Sequence, residues 1–153
     1  MQAGRDAREA GLVGMALDVL PRIVRVLTHA STTSAPGEEP LTLTQFRLLR
    51  ELALGPLLTG ELAARLDVTA ATVSAAIDGL VRRGMIERLP SAGDRRMIPL
   101  RRSPAGAAAA VAARERQGQA LSALFASMSP DALGQLSAGL RALGRALDDG
   151  AAR

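Results

Sequence analysis

The sequence has no cysteine, which excludes disulfide bridges, cysteine–zinc sites, iron–sulfur ligation and thiol redox sensing. It has a single histidine, His29, two phenylalanines, no tryptophan and no tyrosine. The core must therefore be built from aliphatic side chains and alanine, and alanine favours helices. No carboxylate cluster or nucleophile beside a base stands out, so we expect no enzyme activity, no cofactor and no metal site.

Long apolar runs are missing too. No stretch of about 18 apolar residues occurs, so we expect no membrane span. Arg5, Asp6, Arg8 and Glu9 precede the apolar segment that begins at Leu12, and a secretory signal does not carry acidic residues there. We therefore expect a cytoplasmic protein. Its 153 residues suffice for one small domain with additional helices.

The positive charge is unevenly distributed. All 19 basic residues are arginine, and the formal net charge is +4. Residues 82–102 hold seven arginines against two acidic residues, a local charge of +5, whereas the rest of the chain sums to −1. So local an excess suits a polyanionic partner better than it suits general solubility. The alternative is an ordinary solvated surface patch.

Helical patterns occupy the first part of the chain. Apolar residues recur at helical spacing from Leu12 to Leu27, and Pro21 within this range predicts a kink or the true start of the helix. Residues 30–40 are rich in Ser, Thr, Pro and Gly and are predicted to form a loop. Thr42 and Gln45 fit a capping box that begins the next helix.

A helix-turn-helix pattern follows. Thr59 is predicted to cap its first helix, and Asp67–Val68 to form the turn, because aspartate tolerates the left-handed backbone conformation. Thr69 is predicted to cap the second helix, which ends at Gly84. The inward face of this helix, spaced i, i+4 and i+7, consists of Val73, Ile77 and Leu80.

Two strand-like runs, Met85 to Leu89 and Met97 to Leu100, come next. Pro90 and Pro99 would confine them to an edge-exposed hairpin. Helix, turn, helix and hairpin in this order are typical of a winged helix-turn-helix, which places its second helix in the major groove of double-stranded DNA and its hairpin against the flanking groove. The sequence therefore predicts a DNA-binding domain in a mainly α fold with a small β-hairpin.

The face of the second helix that would meet DNA is found by elimination of the inward residues. Its hydroxyls can bond phosphates or bases, and its alanine methyl groups can contact thymine and permit close approach. The alternative is a surface helix of small residues. The predicted contact residues are Thr69, Ala70, Ala71, Thr72, Ser74 and Ala75, and Asp78 shares their outward face.

The hairpin tip carries a second predicted DNA contact. Gly93 supplies the turn, and Asp94 and Arg96 emerge on the same side of an extended chain. An aspartate that holds an arginine rigid suits insertion into a narrow, electronegative minor groove. Arg95 points the other way and can meet a phosphate. The alternative is a surface salt bridge of small energetic value.

The C-terminal part is predicted to be helical. Ser103–Pro104 and Ser129–Pro130 each combine an N-cap with proline at the first helical position, which predicts helices over 104–127 and 130–147. Leucines in the last helix form a narrow seam of coiled-coil type. We interpret the seam as a homodimer contact, with packing inside one chain as the alternative. It consists of Leu133, Leu136, Leu140, Leu143 and Leu147.

Five segments within residues 41–106 occur together in an order that is specific: LTLTQFRLL (41–49), ELAARL (61–66), TAATVSAAIDGLVRRGMIER (69–88), GDRR (93–96) and RSPAG (102–106). In these segments the chain resembles the MarR family of bacterial transcriptional regulators. The resemblance implies a winged helix-turn-helix domain over 41–103, flanked by dimerisation regions over 1–40 and 104–153. It also implies recognition by the helix 69–83, minor-groove insertion of Arg96, a palindromic operator, and a homodimeric repressor that a small phenolic or anionic ligand releases.

Some features depart from that family. Relatives often carry arginine in the middle of the recognition helix, where this chain has Ala75 and Gly79. Sequence preference would then rest more on methyl contacts, hydroxyls and DNA shape. The scarcity of aromatic residues leaves few stacking surfaces for an aromatic ligand. A winged-helix module that binds protein rather than DNA is the alternative function, and the clustered charge with the Asp94/Arg96 pair favours DNA.

Overall fold

The computed structural model describes residues 2–32, 39–90 and 98–151, which form six helices and one antiparallel two-stranded hairpin. This arrangement confirms the predicted mainly α winged-helix fold. The chain divides into two compact units, Met1–Gly118 and Gln119–Arg153, while the predicted limits of the three segments stay predictions. The elements are α1 (Gln2–Thr32), α2 (Leu43–Glu51), α3 (Thr59–Leu66), α4 (Ala70–Arg82), β1 (Ile86–Arg88), β2 (Leu100–Arg102), α5 (Pro104–Phe125) and α6 (Pro130–Ala151).

The hydrophobic core lies entirely within the first unit. Its buried apolar side chains come from α2, α3, α4, the hairpin, the connections between them and the first half of α5. Each fully buried leucine contributes about 1.5–3 kcal/mol relative to an exposed one. The buried apolar residues are Leu41, Phe46, Leu48, Leu49, Leu52, Leu57, Leu62, Leu66, Val73, Ile77, Leu80, Ile86, Leu100, Ala110 and Ala113.

Several of the predicted helix ends are confirmed, whereas α1 ends at Thr32, α5 at Phe125 and α6 at Ala151 instead of at 27, 127 and 147. Thr42 and Gln45 form the capping box: the Gln45 amide donates to Thr42 Oγ1 at 3.2 Å, and the Thr42 amide donates to Gln45 Oε1 at 3.0 Å. Asp67 adopts the left-handed conformation with φ of 52° and links α3 to α4. Gly84, with φ of 67°, follows the end of α4, because a left-handed residue turns the chain out of a helix.

Two helix starts differ from the prediction. Thr59 is the first residue of α3 and not its cap; the cap is Leu58, whose amide donates to Glu61 Oε2 at 2.7 Å. The Glu61 carboxylate therefore accepts the hydrogen bond of the cap amide, and this end of the helix needs no capping hydroxyl. The first helix begins at Gln2, well before Leu12, and continues through Pro21, so Pro21 is not its start.

The strands lie one to three residues away from their predicted limits. Ile86 pairs with Arg102, and Arg88 pairs with Leu100. The hairpin therefore continues past Pro99 into Arg101 and Arg102, because Pro99 has no amide hydrogen but still accepts a bond from the Leu89 amide through its carbonyl, at 2.8 Å.

Across the described ranges, none of the helices combines the length and apolar character that a membrane span requires.

Candidate nucleic-acid interface

The outward face of α4 is small and almost uncharged. Val73, Ile77 and Leu80 are buried as predicted, which fixes the rotation of the helix. The six predicted contact residues can approach another surface closely because none of them has a side chain longer than threonine. All six predicted contact residues are exposed: Thr69, Ala70, Ala71, Thr72, Ser74 and Ala75. Their contact with DNA stays a prediction.

The first turn of α4 leaves backbone donors available. Thr69 Oγ1 accepts a hydrogen bond from the Thr72 amide at 3.2 Å, and the two threonine hydroxyls lie 2.8 Å apart. Within the described part of the chain, no acceptor bonds the amides of Ala70 and Ala71. Free amides and the positive end of the helix dipole suit a phosphate oxygen.

The turn between α3 and α4 is held by a distant arginine. Arg47 on α2 donates from Nη2 to the Leu66 carbonyl at 2.9 Å, so a cation completes the last turn of α3. The Val68 amide closes the same turn on the Ala63 carbonyl at 3.2 Å. Sequence reasoning missed this contact because 19 residues separate its partners and nothing in the local pattern marks Arg47.

The base of the hairpin is paired on both sides. The Leu100 amide donates to the Leu57 carbonyl at 2.8 Å, and the Leu57 amide donates back to the Leu100 carbonyl at 3.1 Å. β2 therefore lies between β1 and the segment before α3, and the predicted edge-exposed hairpin is wrong for this strand. No strand pattern surrounds Leu57 in the sequence, because only a single bridge forms there.

The tip of the hairpin carries the predicted wing contacts. Gly93, Asp94, Arg95 and Arg96 lie outside the described residues, so their contacts stay predictions.

Most described arginines of the basic segment already have partners. Arg83 donates to the carbonyls of Glu39 and Pro40, and Arg102 donates to the Leu49 carbonyl. Arg88 pairs with Asp78 and Arg101 pairs with Glu87, each at 2.7 Å. Exposed ion pairs of this kind contribute at most about 1 kcal/mol. Arg82, at the end of α4, has no hydrogen-bond or ion-pair partner among the described residues.

Ala75 and Gly79 stand where relatives often carry arginine in the recognition helix, and only one of these two positions faces outward. Ala75 is exposed, but Gly79 is buried. A Cβ at Gly79 would lie 2.7 Å from Gln45 Nε2, so the helix packs tightly on α2 there. The expectation that Gly79 replaces a base-reading arginine is therefore wrong, because that side of α4 faces the protein.

A polar joint connects α4, β1 and the start of α5. Ser103 is 5% exposed; its hydroxyl donates to the Gly84 carbonyl at 2.6 Å and accepts from the Gly106 amide at 3.1 Å. Its amide donates to the Met85 carbonyl at 3.0 Å. This joint fixes both the end of α4 and the root of the hairpin.

Comparison with known proteins gave consistent results. Residues 39–97 match the sequence profile of the MarR family. The structure is similar to that of RV1404 from Mycobacterium tuberculosis, with a TM-score of 0.74 and 23% identity over 90% of this chain and 92% of that one. For MarR from E. coli in its apo form, the TM-score is 0.67 and the identity is 24%, over 88% of this chain and 95% of that one. For the multiple antibiotic-resistance repressor (MarR) from Listeria monocytogenes, the TM-score is 0.70 and the identity is 15%, over 93% of this chain and 95% of that one.

A search of curated proteins gave no match. At these identities the solved structures establish a shared fold, and the profile match lies over the helix-turn-helix and the hairpin tip. The profile match over residues 39–97 and the shared fold show that this chain contains a winged helix-turn-helix segment similar to that of the MarR family.

Proposed function

We propose that the protein is a homodimeric transcriptional repressor that binds a palindromic operator in double-stranded DNA and is released by a small ligand. The observation that carries the proposal is the exposed, small and nearly uncharged face of α4, whose first two amides bond no acceptor among the described residues, next to a segment of charge +5. A repressor role also agrees with the name of the similar Listeria monocytogenes protein.

A winged-helix module that binds another protein is the second candidate. It gains support from the arginines of the basic segment, since four of the five described ones are engaged inside the protein. The two functions differ in salt dependence, because DNA binding releases condensed counterions and protein binding does not.

Mapping the DNA sites that the protein occupies in its own cells tests the proposal. Fluorescence anisotropy with the recovered sites should then give an affinity at least about a thousandfold above that for random duplexes. The logarithm of the affinity should fall steeply with the logarithm of the salt concentration. Equal affinity for recovered and random duplexes would instead support the protein-binding alternative.

The dimer proposal rests on apolar surface that one chain leaves uncovered. Neither α1 nor α6 contributes a buried apolar side chain among the described residues, although both carry many large ones. Exposed apolar surface of this extent on a globular chain marks an interaction face. Eight such side chains lie on α1 and four on α6: Leu12, Val13, Met15, Leu17, Val19, Leu20, Val24 and Val26, and Leu133, Leu140, Leu143 and Leu147.

Charges in the leucine seam should prevent dimerisation. Leu140 and Leu143 are 54% and 48% exposed, and a dimer that buried them would have to bury two carboxylates in the variant Leu140→Asp with Leu143→Asp. We expect sedimentation at the monomer mass at concentrations where the unchanged protein is a dimer. The control is Ala138→Asp with Ala142→Asp, which adds the same charge on the opposite side of α6 and should stay dimeric. A seam variant that remains dimeric would contradict the assignment.

A cleft in the first unit is the proposed ligand site. It has a volume of about 480 Å³ and an alanine-rich wall on α5, and Arg83, Arg116 and Glu39 line it beside Met85. Arg83 is held by Glu39, whereas Arg116 bonds a carbonyl through Nε only, which leaves its other guanidinium donors for a small aromatic anion on the apolar wall. We expect 2-hydroxybenzoate to weaken binding to the recovered sites more than sodium chloride of equal ionic strength does. Arg116→Gln should raise the concentration required, and an equal effect of both salts would contradict the ligand proposal.

A further inference from the structure

The corner between α4 and β1 holds an acidic residue on the face proposed to meet DNA. Asp78 follows Ala71 by seven residues and Ala75 by three, so helical spacing places it on their side of α4. All three are exposed. A carboxylate at this position repels phosphates, so the surface carries a group that opposes the binding for which the rest of it is suited.

The partner of this carboxylate is the last residue of β1. Arg88 Nη2 lies 2.7 Å from Asp78 Oδ1, and the two side chains are 49% and 56% exposed. Both charges therefore lie within reach of a ligand that approaches α4 and the hairpin together. The contact is a single hydrogen bond, which leaves the remaining guanidinium donors of Arg88 uncommitted by the described residues.

We propose that Asp78 is a specificity-determining residue that offsets Arg88 and thereby lowers the affinity for DNA of arbitrary sequence. The inference rests on the proposed DNA-binding function. Phosphate contacts add affinity for every sequence equally, whereas base contacts distinguish one sequence from another. A neutralised Arg88 leaves a larger share of the binding to the small side chains of α4 and to the hairpin tip, and these residues can read sequence and groove shape.

The hairpin supplies a matched pair for comparison. Glu87 and Arg101 are also 2.7 Å apart and similarly exposed, at 45% and 56%. Adjacent strand residues point to opposite faces, so Glu87 and Arg88 lie on different sides of the hairpin. Removal of either carboxylate changes the net charge by the same amount and frees one arginine, but only Asp78→Asn frees an arginine beside α4.

The test measures affinity for a random-sequence duplex and for a recovered site, each over a range of salt concentrations. Asp78→Asn should raise the affinity for the random duplex severalfold and steepen its log–log salt slope by about 0.9 for each Arg88 that gains a phosphate. The ratio of specific to random affinity should fall. Arg88→Gln added to Asp78→Asn should restore the shallower slope.

Several outcomes would overturn the inference. An equal rise in Glu87→Gln would show an effect of net charge alone, and a rise that persists in Asp78→Asn with Arg88→Gln would exclude Arg88 as its cause. Unchanged binding in Asp78→Asn would also overturn it while leaving the proposed function intact. If the unchanged protein and every variant failed to bind any duplex at low salt, that result would contradict the proposed DNA-binding function and, with it, this inference.

Discussion

Gly106→Ala should destabilise the protein by about 3 kcal/mol, a large part of the 5–15 kcal/mol that holds an ordinary domain folded. A Cβ at this buried position would lie 2.2 Å from the Met85 carbonyl oxygen and 3.0 Å from Leu49 Cδ2. The first neighbour is backbone, so no rotamer change relieves the clash. Moving Met85 would also stretch its hydrogen bond from the Ser103 amide, which costs about 1 kcal/mol more.

Urea denaturation at fixed protein concentration measures this loss, because a dimer makes apparent stability depend on concentration. Gly118→Ala is the matched control: it lies in the same helix, is exposed, and a Cβ there meets nothing within 4 Å. Alanine at that position should stabilise the helix by up to about 1 kcal/mol. If Gly106→Ala unfolded at the same urea concentration as the unchanged protein, the joint between α5 and the hairpin would not be the rigid contact that we describe.

Local rules predicted much of this fold because their partners are near in sequence. The Thr42 box, the Thr69 cap and the left-handed Asp67 each depend on residues within four positions. The inward face of α4 follows from helical periodicity alone. These signals were sufficient for the order of elements and for the rotation of α4, on which the assignment of its outward face depends.

Contacts between distant segments could not be predicted in this way. The charge count treated the arginines of residues 82–102 as one patch, but Arg83 and Arg102 donate to carbonyls that lie 44 and 53 positions away. The bridge from Leu57 to Leu100 joins segments 43 residues apart and needs no strand-like pattern at Leu57. Gly79 is buried because α2 packs on α4 there, a tertiary fact that helix composition does not contain.

The engaged arginines move the expected DNA contacts of the basic segment toward the hairpin tip. Five of its seven arginines are described, and only Arg82 among these has no partner in the described ranges. Arg95 and Arg96 supply the remaining two charges. At the turn predicted for Gly93, Arg96 can enter a narrow minor groove, where the negative potential is strongest, and Arg95 can meet a phosphate.

Arg95→Ala with Arg96→Ala should therefore lower the affinity for recovered operator sites by about a hundredfold or more at about 0.15 M salt. A dimer on a palindrome presents two hairpins, so four arginine contacts are lost per complex. The log–log salt slope should become shallower by about 2, at about 0.9 for each of the two phosphate contacts that Arg95 makes in the dimer. Fluorescence anisotropy over a salt series measures both quantities.

The control for this prediction is Arg141→Ala with Arg145→Ala, which removes the same charge from exposed positions of α6. It should leave the salt slope nearly unchanged, because charges that do not contact DNA release no condensed counterions, and their long-range attraction is already largely screened at about 0.15 M salt. Equal losses in the two double variants would contradict a role for the hairpin tip. Unchanged affinity with Arg95 and Arg96 replaced would assign binding to the face of α4 and to Arg82, and the sharpest remaining test would be Arg82→Ala.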